Sequence, residues 1–80
     1  MTKISYLKTA VKALEKCDFI TRKRLIESIG NIPQGDIKKM KGENHLPLYR
    51  LRVGKYRVIY HIEDGDIVIA KIDTRGDIYK

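Results

Sequence analysis

The sequence has little cysteine. Cys17 is the single thiol among 80 residues, which excludes an intramolecular disulfide and favours a cytoplasmic location. Cys17, His45 and His61 share no metal-ligand spacing, so we expect no metal site and no cofactor. Because Cys17 follows an apolar helical stripe, we interpret it as a packing residue rather than a reactive thiol.

Long apolar runs are also absent. The N-terminal segment MTKISYLKTAVKAL contains no apolar region of signal-peptide length, and no stretch approaches the roughly 20 apolar residues of a membrane span. No repeat, low-complexity tract or linker divides the chain. We therefore expect one domain over residues 1–80, no membrane partner and a modest core, because so short a chain hides only about 60–65% of its unfolded surface.

Acidic residues are few relative to basic ones. Ten Asp and Glu face 17 Lys and Arg, which leaves a formal charge of +7. Such a charge favours association with polyanions, above all nucleic acid, although a solvated basic surface is the competing interpretation. The segment GDIKKMKGENHLP has too little periodicity for an assignment, and its Lys38, Lys39 and Lys41 form either a solvated charge run or a rim that faces phosphate.

Apolar periodicity predicts a two-helix hairpin in the first half of the chain. KISY is a short strand candidate, and LKTAVKALEKC then has helical spacing. A second helix is predicted over RKRLIESIGNI, with Thr21 as its N-cap and Gly30, Pro33 and Gly35 closing it. Both apolar stripes are expected to form core, and they consist of Leu7, Ala10, Val11, Leu14, Leu25, Ile26, Ile29 and Ile32.

From Leu48 onward the apolar period changes to two, which is typical of strands. Gly54 and Lys55 suit a type II′ turn, and Asp64 and Gly65 suit a type I′ turn. The run IVIAKI indicates an interior strand, and the segment DIYK follows the turn signal TRG. We therefore expect an α+β fold in which an N-terminal strand and the two-helix hairpin precede an antiparallel sheet of three to four strands. The three well-marked strands are predicted at about 48–53, 56–63 and 66–73.

Three arginines meet in the first of these strand pairs. The two-residue turn fixes the register, which places Arg52 opposite Arg57 and Arg50 diagonal to Arg57. Like charges that face each other across strands are unfavourable by up to about 1 kcal/mol. The face that carries them meets either water, which screens the repulsion, or a phosphate, which would accept bidentate hydrogen bonds from the guanidinium groups. We favour the anion site, because no acid lies on either strand between Leu48 and His61, and we add Lys55 as a substrate-binding candidate.

The opposite face of the same strand pair is predicted to be apolar and to carry the helices. Its members are Tyr49, Leu51, Val53, Tyr56, Val58, Tyr60 and Ile62. Tyr79 differs from the strand tyrosines, because Ile78 would continue the apolar face and send Tyr79 to the arginine side; the alternative is a frayed terminal aromatic. His61 shares the side of Arg57 and is either an acid–base group or an ordinary half-exposed histidine.

These motifs resemble the RelE branch of the RelE/ParE toxin superfamily. The resemblance rests on the order of predicted elements and on IKKMKG, LYRLRVGKYRVIYHIEDGDIVIAKID and RGDIYK, and it covers nearly the whole chain. RelE-type members are ribosome-dependent endoribonucleases that cut messenger RNA, and an antitoxin encoded beside them holds them inactive. The resemblance implies a cytoplasmic toxin whose partners are the ribosome, mRNA and a helical RelB-like antitoxin, in a hetero-oligomer that binds operator DNA through the antitoxin.

The resemblance also implies roles for individual residues. The basic strand positions of the family correspond to Arg50 and Arg52, its phosphate-binding arginine to Arg57, its late arginine to Arg75 and its C-terminal tyrosine to Tyr79. The implied reaction is attack by a ribose 2′-hydroxyl on the adjacent phosphate, with Tyr79 as the base. The arginines would stabilise the phenolate and the developing phosphorane, and Arg75 is the candidate for phosphate stabilisation or leaving-group protonation.

The late turn departs from the family pattern. DTRGDIYK has Thr74 where many relatives carry a histidine, and its Asp73 and Asp77 would weaken an anion site. The nuclease interpretation requires guanidinium groups that are gathered on one face and are not paired with the protein's own carboxylates. Two other interpretations are a ParE-like DNA gyrase inhibitor without nuclease activity and a degenerate, non-toxic member that acts in a repressor complex.

Overall fold

The computed structural model describes residues 3–40 and 47–74, which form two helices and five strands. The predicted α+β architecture is confirmed. In chain order the elements are β1 (Ile4–Tyr6), α1 (Lys8–Glu15), α2 (Phe19–Gly30), β2 (Asp36–Met40), β3 (Leu48–Val53), β4 (Tyr56–Glu63) and β5 (Asp66–Thr74).

The strands build one mixed sheet in the spatial order β1-β5-β4-β3-β2. β1 pairs with β5 in parallel, and the other neighbours are antiparallel. β3 and β4 have the predicted bounds, whereas β2 lies in the segment for which no assignment was made, so the strand count is higher than expected. The segment DIYK lies outside the described residues. β5 is the interior strand that IVIAKI indicated.

The start of α2 differs from the prediction. α2 begins at Phe19, and its N-cap is Asp18, whose carboxylate accepts a hydrogen bond from the backbone N–H of Thr21 at 3.3 Å. The assignment of Thr21 as N-cap was therefore wrong by one turn. The helix begins earlier because the Asp18 carboxylate can accept from an N–H group of the first turn that has no partner within the helix. The Thr21 hydrogen bond also lowers the pKa of Asp18.

An arginine ties the two helices together. The Nε of Arg22 in α2 donates to the carbonyl of Leu14 at 3.0 Å, and its Nη2 donates to the carbonyl of Cys17 at 2.8 Å. These carbonyls lie at the C-terminal end of α1, where the helix dipole favours a cation. The Leu14 carbonyl also accepts a hydrogen bond from the backbone N–H of Cys17 at 3.1 Å. Arg22 therefore has a structural role, because it links the two helices.

The core lies between the helices and one face of the sheet. The helices contribute Ala10, Leu14, Leu25 and Ile29, and the strands contribute Leu51, Val53, Val58, Tyr60, Ile67, Ile69 and Ile72. The prediction that both helical stripes are buried was wrong for Leu7, Val11 and Ile26, which remain 46%, 39% and 45% exposed. Ile62 is also exposed, because it lies near the end of β4. Within the described residues, neither helix is long and apolar enough to cross a membrane.

A bulge in β5 decides which of its residues face the helices. Tyr60 pairs with Ile69 but Ile59 pairs with Lys71, so Ala70 is an extra residue in β5. The Ala70 carbonyl accepts a hydrogen bond from the Thr9 hydroxyl of α1 at 2.6 Å. As a result, residues 69 and 72 both face the core, and residues 71 and 73 both face the other side of the sheet.

Candidate nucleic-acid interface

The face of the sheet that points away from the helices carries most of the charged strand residues, and we call it the arginine face. Strand register brings its side chains into two neighbouring rows that cross β2, β3, β4 and β5. In that order the first row is Asp36, Arg52, Arg57 and Asp73, and the second row is Lys38, Arg50, Ile59 and Lys71. The rows contain five cations and two carboxylates, so they are net positive.

The β3–β4 hairpin sets the positions of the three predicted arginines. Gly54 has a φ of 59°, as the first central residue of a type II′ turn requires. Arg52 lies opposite Arg57 and Arg50 lies opposite Ile59, so the predicted register is confirmed. The hairpin therefore gathers Arg50, Arg52 and Arg57 on one face.

Arg57 is held by a carboxylate of the neighbouring strand. Its Nε donates to Oδ1 of Asp73 at 3.0 Å, and its Nη2 donates to Oδ2 at 3.2 Å. The Nζ of Lys71 lies 3.6 Å from the same Oδ2. Both oxygens of Asp73 are thus engaged, and one edge of the Arg57 guanidinium is occupied.

Arg52 is less tightly engaged. Its Nε lies 3.9 Å from Oδ2 of Asp36, which is too long for a hydrogen bond, and the Asp36 side chain is 67% exposed. The Nε atoms of Arg50 and Arg52 are both buried, and neither has a hydrogen-bond acceptor within residues 3–40 and 47–74. Buried donors of this kind usually have a partner, so the two atoms mark a place where an acceptor from outside would be stabilised.

The expectation of three arginines free of carboxylates was wrong. No acid lies on the hairpin between Leu48 and His61, but Asp36 and Asp73 approach from the two flanking strands. Asp73 reaches Arg57 because of the β5 bulge: the register that begins with the Glu63–Asp66 pair would, without an interruption, place Ile72 opposite Arg57. The requirement for unpaired guanidinium groups therefore fails for Arg57, is weakened for Arg52 and holds for Arg50.

Lys55 does not join the arginine face. It lies in the β3–β4 turn, and its Nζ stands 5.8 Å from the ring centroid of Tyr56. Together with Thr21 and Arg24 of α2 it lines a cleft on the helix side of the sheet. The structure thus separates this predicted substrate-binding residue from the three arginines.

The remaining residues that were singled out from the sequence lie in different parts of the chain. Arg75 and Tyr79 lie outside the described residues, as does His45. His61 is half-buried on β4 and pairs with Val68 of β5. Thr74, which was predicted to lie in the late turn, is the last residue of β5 and pairs with Tyr56.

The strand tyrosines belong to the helix side, as the alternation predicted. The Tyr49 and Tyr60 rings stack with centroids 5.3 Å apart and planes 18° apart, and Tyr60 is 2% exposed. Burial raises the pKa of the Tyr60 phenol, and the neighbouring Tyr49 adds to the rise. Such a phenol stays protonated near neutral pH and is unsuited to act as a base there.

Four charged residues of the two rows were not among the predicted site residues. Lys38 and Asp36 lie on β2, which was not predicted, although Lys38 belonged to the lysine run for which a phosphate-facing rim was one interpretation. Lys71 and Asp73 are placed by the β5 bulge. The sequence signal for them was weak, because their facing depends on a strand edge and a bulge rather than on local periodicity.

Comparison with known proteins assigns the family. The family model described as the ParE toxin of the type II toxin–antitoxin system parDE matches residues 4–79. Toxin RelE3 of Methanocaldococcus jannaschii is 34% identical, in a match that covers 96% of this chain and 94% of that protein. RelE1 of the same organism is 41% identical, in a match that covers 72% of this chain and 69% of that protein.

A solved structure agrees with these sequence matches. The fold of this chain is similar to that of a chain in the crystal structure of the archaeal RelE–RelB complex from Pyrococcus horikoshii, with a TM-score of 0.78 and 33% identity. The match covers 94% of this chain and 96% of that chain. The chain therefore belongs to the RelE/ParE family of toxins of type II toxin–antitoxin systems.

Proposed function

We propose that this RelE-family toxin inhibits translation as a ribosome-dependent mRNA endoribonuclease in the cytoplasm. The observation that carries the proposal is the arginine face, a net positive sheet surface with two buried guanidinium Nε atoms that lack an acceptor among the described residues. RNA supplies such acceptors, because each nucleotide adds a phosphate.

The proposed chemistry combines the arginine face with the C-terminal segment. The 2′-oxygen of the ribose attacks the adjacent phosphorus, the P–O5′ bond breaks, and the 5′-oxygen leaves with a proton. Tyr79 takes the 2′ proton, Arg57 stabilises the developing negative charge, and Arg75 stabilises the phosphate or protonates the leaving group. Arg50 and Arg52 bind the RNA backbone. Arg57 keeps its Nη1 hydrogens for this role, because Asp73 occupies only its Nε and Nη2 edge.

The proposed protein partner is a helical, RelB-like antitoxin. The support is that the similar solved chain from Pyrococcus horikoshii is in a RelE–RelB complex. A toxin–antitoxin hetero-oligomer of this kind would bind operator DNA through the antitoxin. The net positive rows of the arginine face are a suitable contact for acidic antitoxin side chains, which would compete with RNA there.

A second candidate function is that of a member that does not cut RNA and acts only within a repressor complex. The observation that favours it is the Arg57–Asp73 pair, since a carboxylate already takes the two donors best placed for bidentate phosphate binding. A third candidate function is the ParE-like inhibition of DNA gyrase without nuclease activity, and its support is that the matching family model is described as a ParE toxin.

A cell-free translation extract separates these functions. We expect the purified chain to stop protein synthesis and to produce codon-aligned cuts in the message only when ribosomes occupy it. Uncut message together with blocked DNA supercoiling would favour the gyrase inhibitor. Uncut message with normal supercoiling would favour the repressor partner.

Two substitutions test the proposed chemistry. We expect Arg57→Ala and Tyr79→Phe each to lower the cleavage rate at least tenfold, which corresponds to about 1.4 kcal/mol of transition-state stabilisation. The measurement is primer extension on ribosome-bound message, with circular dichroism to show that each variant is folded. Equal cutting by Tyr79→Phe would remove Tyr79 as the base.

A further inference from the structure

The two halves of the arginine face differ in how their cations are used. On the β4–β5 half, the carboxylate of Asp73 contacts Arg57 through both oxygens and lies 3.6 Å from the Nζ of Lys71. Its two cations therefore share one carboxylate at short range. A phosphate placed on Arg57 would have to approach the negative charge of Asp73 closely or displace it.

The β2–β3 half is more open. Lys38 and Arg50 are directly opposite each other across β2 and β3, so their side chains leave the same face at neighbouring positions. Within the described ranges, neither is within ion-pair distance of a carboxylate. Asp36, at the next position of β2, is mostly exposed and reaches Arg52 only at 3.9 Å.

The guanidinium Nε atoms also indicate that the β2–β3 half is the more favourable place for an anion. Those of Arg50 and Arg52 are buried and lack an acceptor among residues 3–40 and 47–74, whereas the Nε of Arg57 donates to Asp73 at 3.0 Å. A buried donor without an acceptor costs free energy that an incoming anion removes. Arg57 has no such unmet donor at Nε, so the gain on binding an anion is larger on the β2–β3 half.

We propose that the backbone phosphate of bound RNA rests on the β2–β3 half, between Lys38 and Arg50 with Arg52 beside them, and that Asp73 withholds Arg57 from this contact by competing with the phosphate. The ligand class is a nucleic-acid phosphodiester. The inference rests on the proposed function and deepens it, since it separates the residues that bind RNA from the arginine that stabilises the reaction. Lys38 becomes a binding residue, and Asp73 becomes a competitor of phosphate.

Binding of a free oligonucleotide tests this arrangement without the ribosome. The probe is a fluorescein-labelled, ten-nucleotide single-stranded RNA, and its dissociation constant is measured by anisotropy at several salt concentrations. We expect Arg50→Gln to weaken binding at least fivefold and Lys38→Gln about threefold, and each to lower the salt slope by about 0.7, the value for one phosphate contact on a single strand. Arg57→Gln should weaken binding less than either.

Asp73→Asn is the complementary substitution. It keeps the size of the side chain but removes the negative charge, so Arg57 and Lys71 become available. We expect Asp73→Asn to tighten RNA binding at least threefold, and we expect the added Arg57→Gln substitution to remove that gain. If Asp73→Asn fails to fold, Asp73→Ser makes the same test, and the order of Arg50→Gln and Arg57→Gln tests the site without altering Asp73.

The matched control is Lys23→Gln on α2. It removes the same charge from an exposed residue away from the arginine face, and should leave the dissociation constant within twofold. A larger loss for Arg57→Gln than for Arg50→Gln, unchanged affinity in folded Asp73→Asn, or no RNA binding by the wild-type chain at low salt would overturn the proposal.

The two proposals can fail separately. A wild-type chain that binds RNA with the expected order of variants but cuts no ribosome-bound message supports the phosphate site and overturns the nuclease function. A chain that cuts message but depends most on Arg57 for RNA binding overturns the phosphate site alone.

Discussion

The two faces of the sheet have opposite properties. The helix side holds the buried cluster, with Leu25, Val58 and Ile69 at 0% exposure. The arginine face holds paired and unpaired charges, including two cations that oppose each other at Arg52 and Arg57. The first face stabilises the fold by burying apolar area, whereas the second keeps like charges together, an arrangement that stability alone does not favour. The helix side therefore stabilises the fold, and we propose that the opposite side of the same strands is kept for binding RNA.

The largest expected effect is on the helix side. Leu25→Ala should lower the free energy of unfolding by about 2–5 kcal/mol, because it removes a fully buried side chain and leaves a cavity. Urea denaturation followed by circular dichroism measures this. Ile20→Ala is the control, since Ile20 is 74% exposed on the same helix and should change stability by about 0.5 kcal/mol or less. Equal losses of unfolding free energy in the two variants would contradict the assignment of stability to the buried cluster.

The next largest expected effect is a loss of stability when Arg22, an arginine that links the two helices, is replaced. Arg22→Met should cost about 1–3 kcal/mol, because the carbonyls of Leu14 and Cys17 each lose a hydrogen bond from the guanidinium. Thermal unfolding of Arg22→Met beside Lys23→Met measures it, since Lys23 has the same charge but is exposed. RNA binding should respond equally in both variants. A specific loss of RNA binding in Arg22→Met would extend the binding surface to the helices.

A smaller effect of the opposite sign is expected on the arginine face. Arg52→Gln removes one of two opposed cations, so the free energy of unfolding should stay unchanged or rise by up to about 1 kcal/mol. RNA binding should weaken in the same variant. Denaturation and anisotropy on one preparation report both quantities. Destabilisation of more than about 1 kcal/mol would mean that Arg52 supports the fold after all.

The smallest effect is a pH dependence of the helix side. Burial raises the pKa values of Tyr6 and Tyr60 above their usual value of about 10. Above pH 10 the unfolded chain therefore loses these protons before the folded chain does, so this stability is present below pH 10 and is lost as the pH rises. Tyr60→Phe should flatten the decline in thermal midpoint above pH 10. If the thermal midpoint of this variant declined with the same slope as that of the wild-type chain, the pH dependence would come from groups other than Tyr60.

The helix side and the β3–β4 hairpin could be predicted from the sequence because their signals are local. Alternation over residues 48–63 and the glycine in the two-residue turn determine the five residue pairs of that hairpin. Val58 and Leu51 were accordingly placed on the buried face.

The surroundings of the arginines could not be predicted, because they depend on interactions between distant elements. β2 has no clear alternation and becomes a strand only by pairing with the outer edge of β3. The β5 bulge has its carbonyl bonded by Thr9 of α1, which is 61 residues away in sequence. That one extra residue determines whether Asp73 or Ile72 faces Arg57, and hence whether the arginine is paired.

The measurement that tests the division of the sheet most directly is a titration of the isotope-labelled chain with a short single-stranded RNA, followed by nuclear magnetic resonance. We predict that the strand amides around Lys38, Arg50 and Arg52 and the Nε–H resonances of these arginines shift, while the amides of α2 stay in place. Shifts concentrated on α2, around the exposed Phe19 and Ile20, with none on β2 and β3, would contradict the assignment of RNA binding to the arginine face.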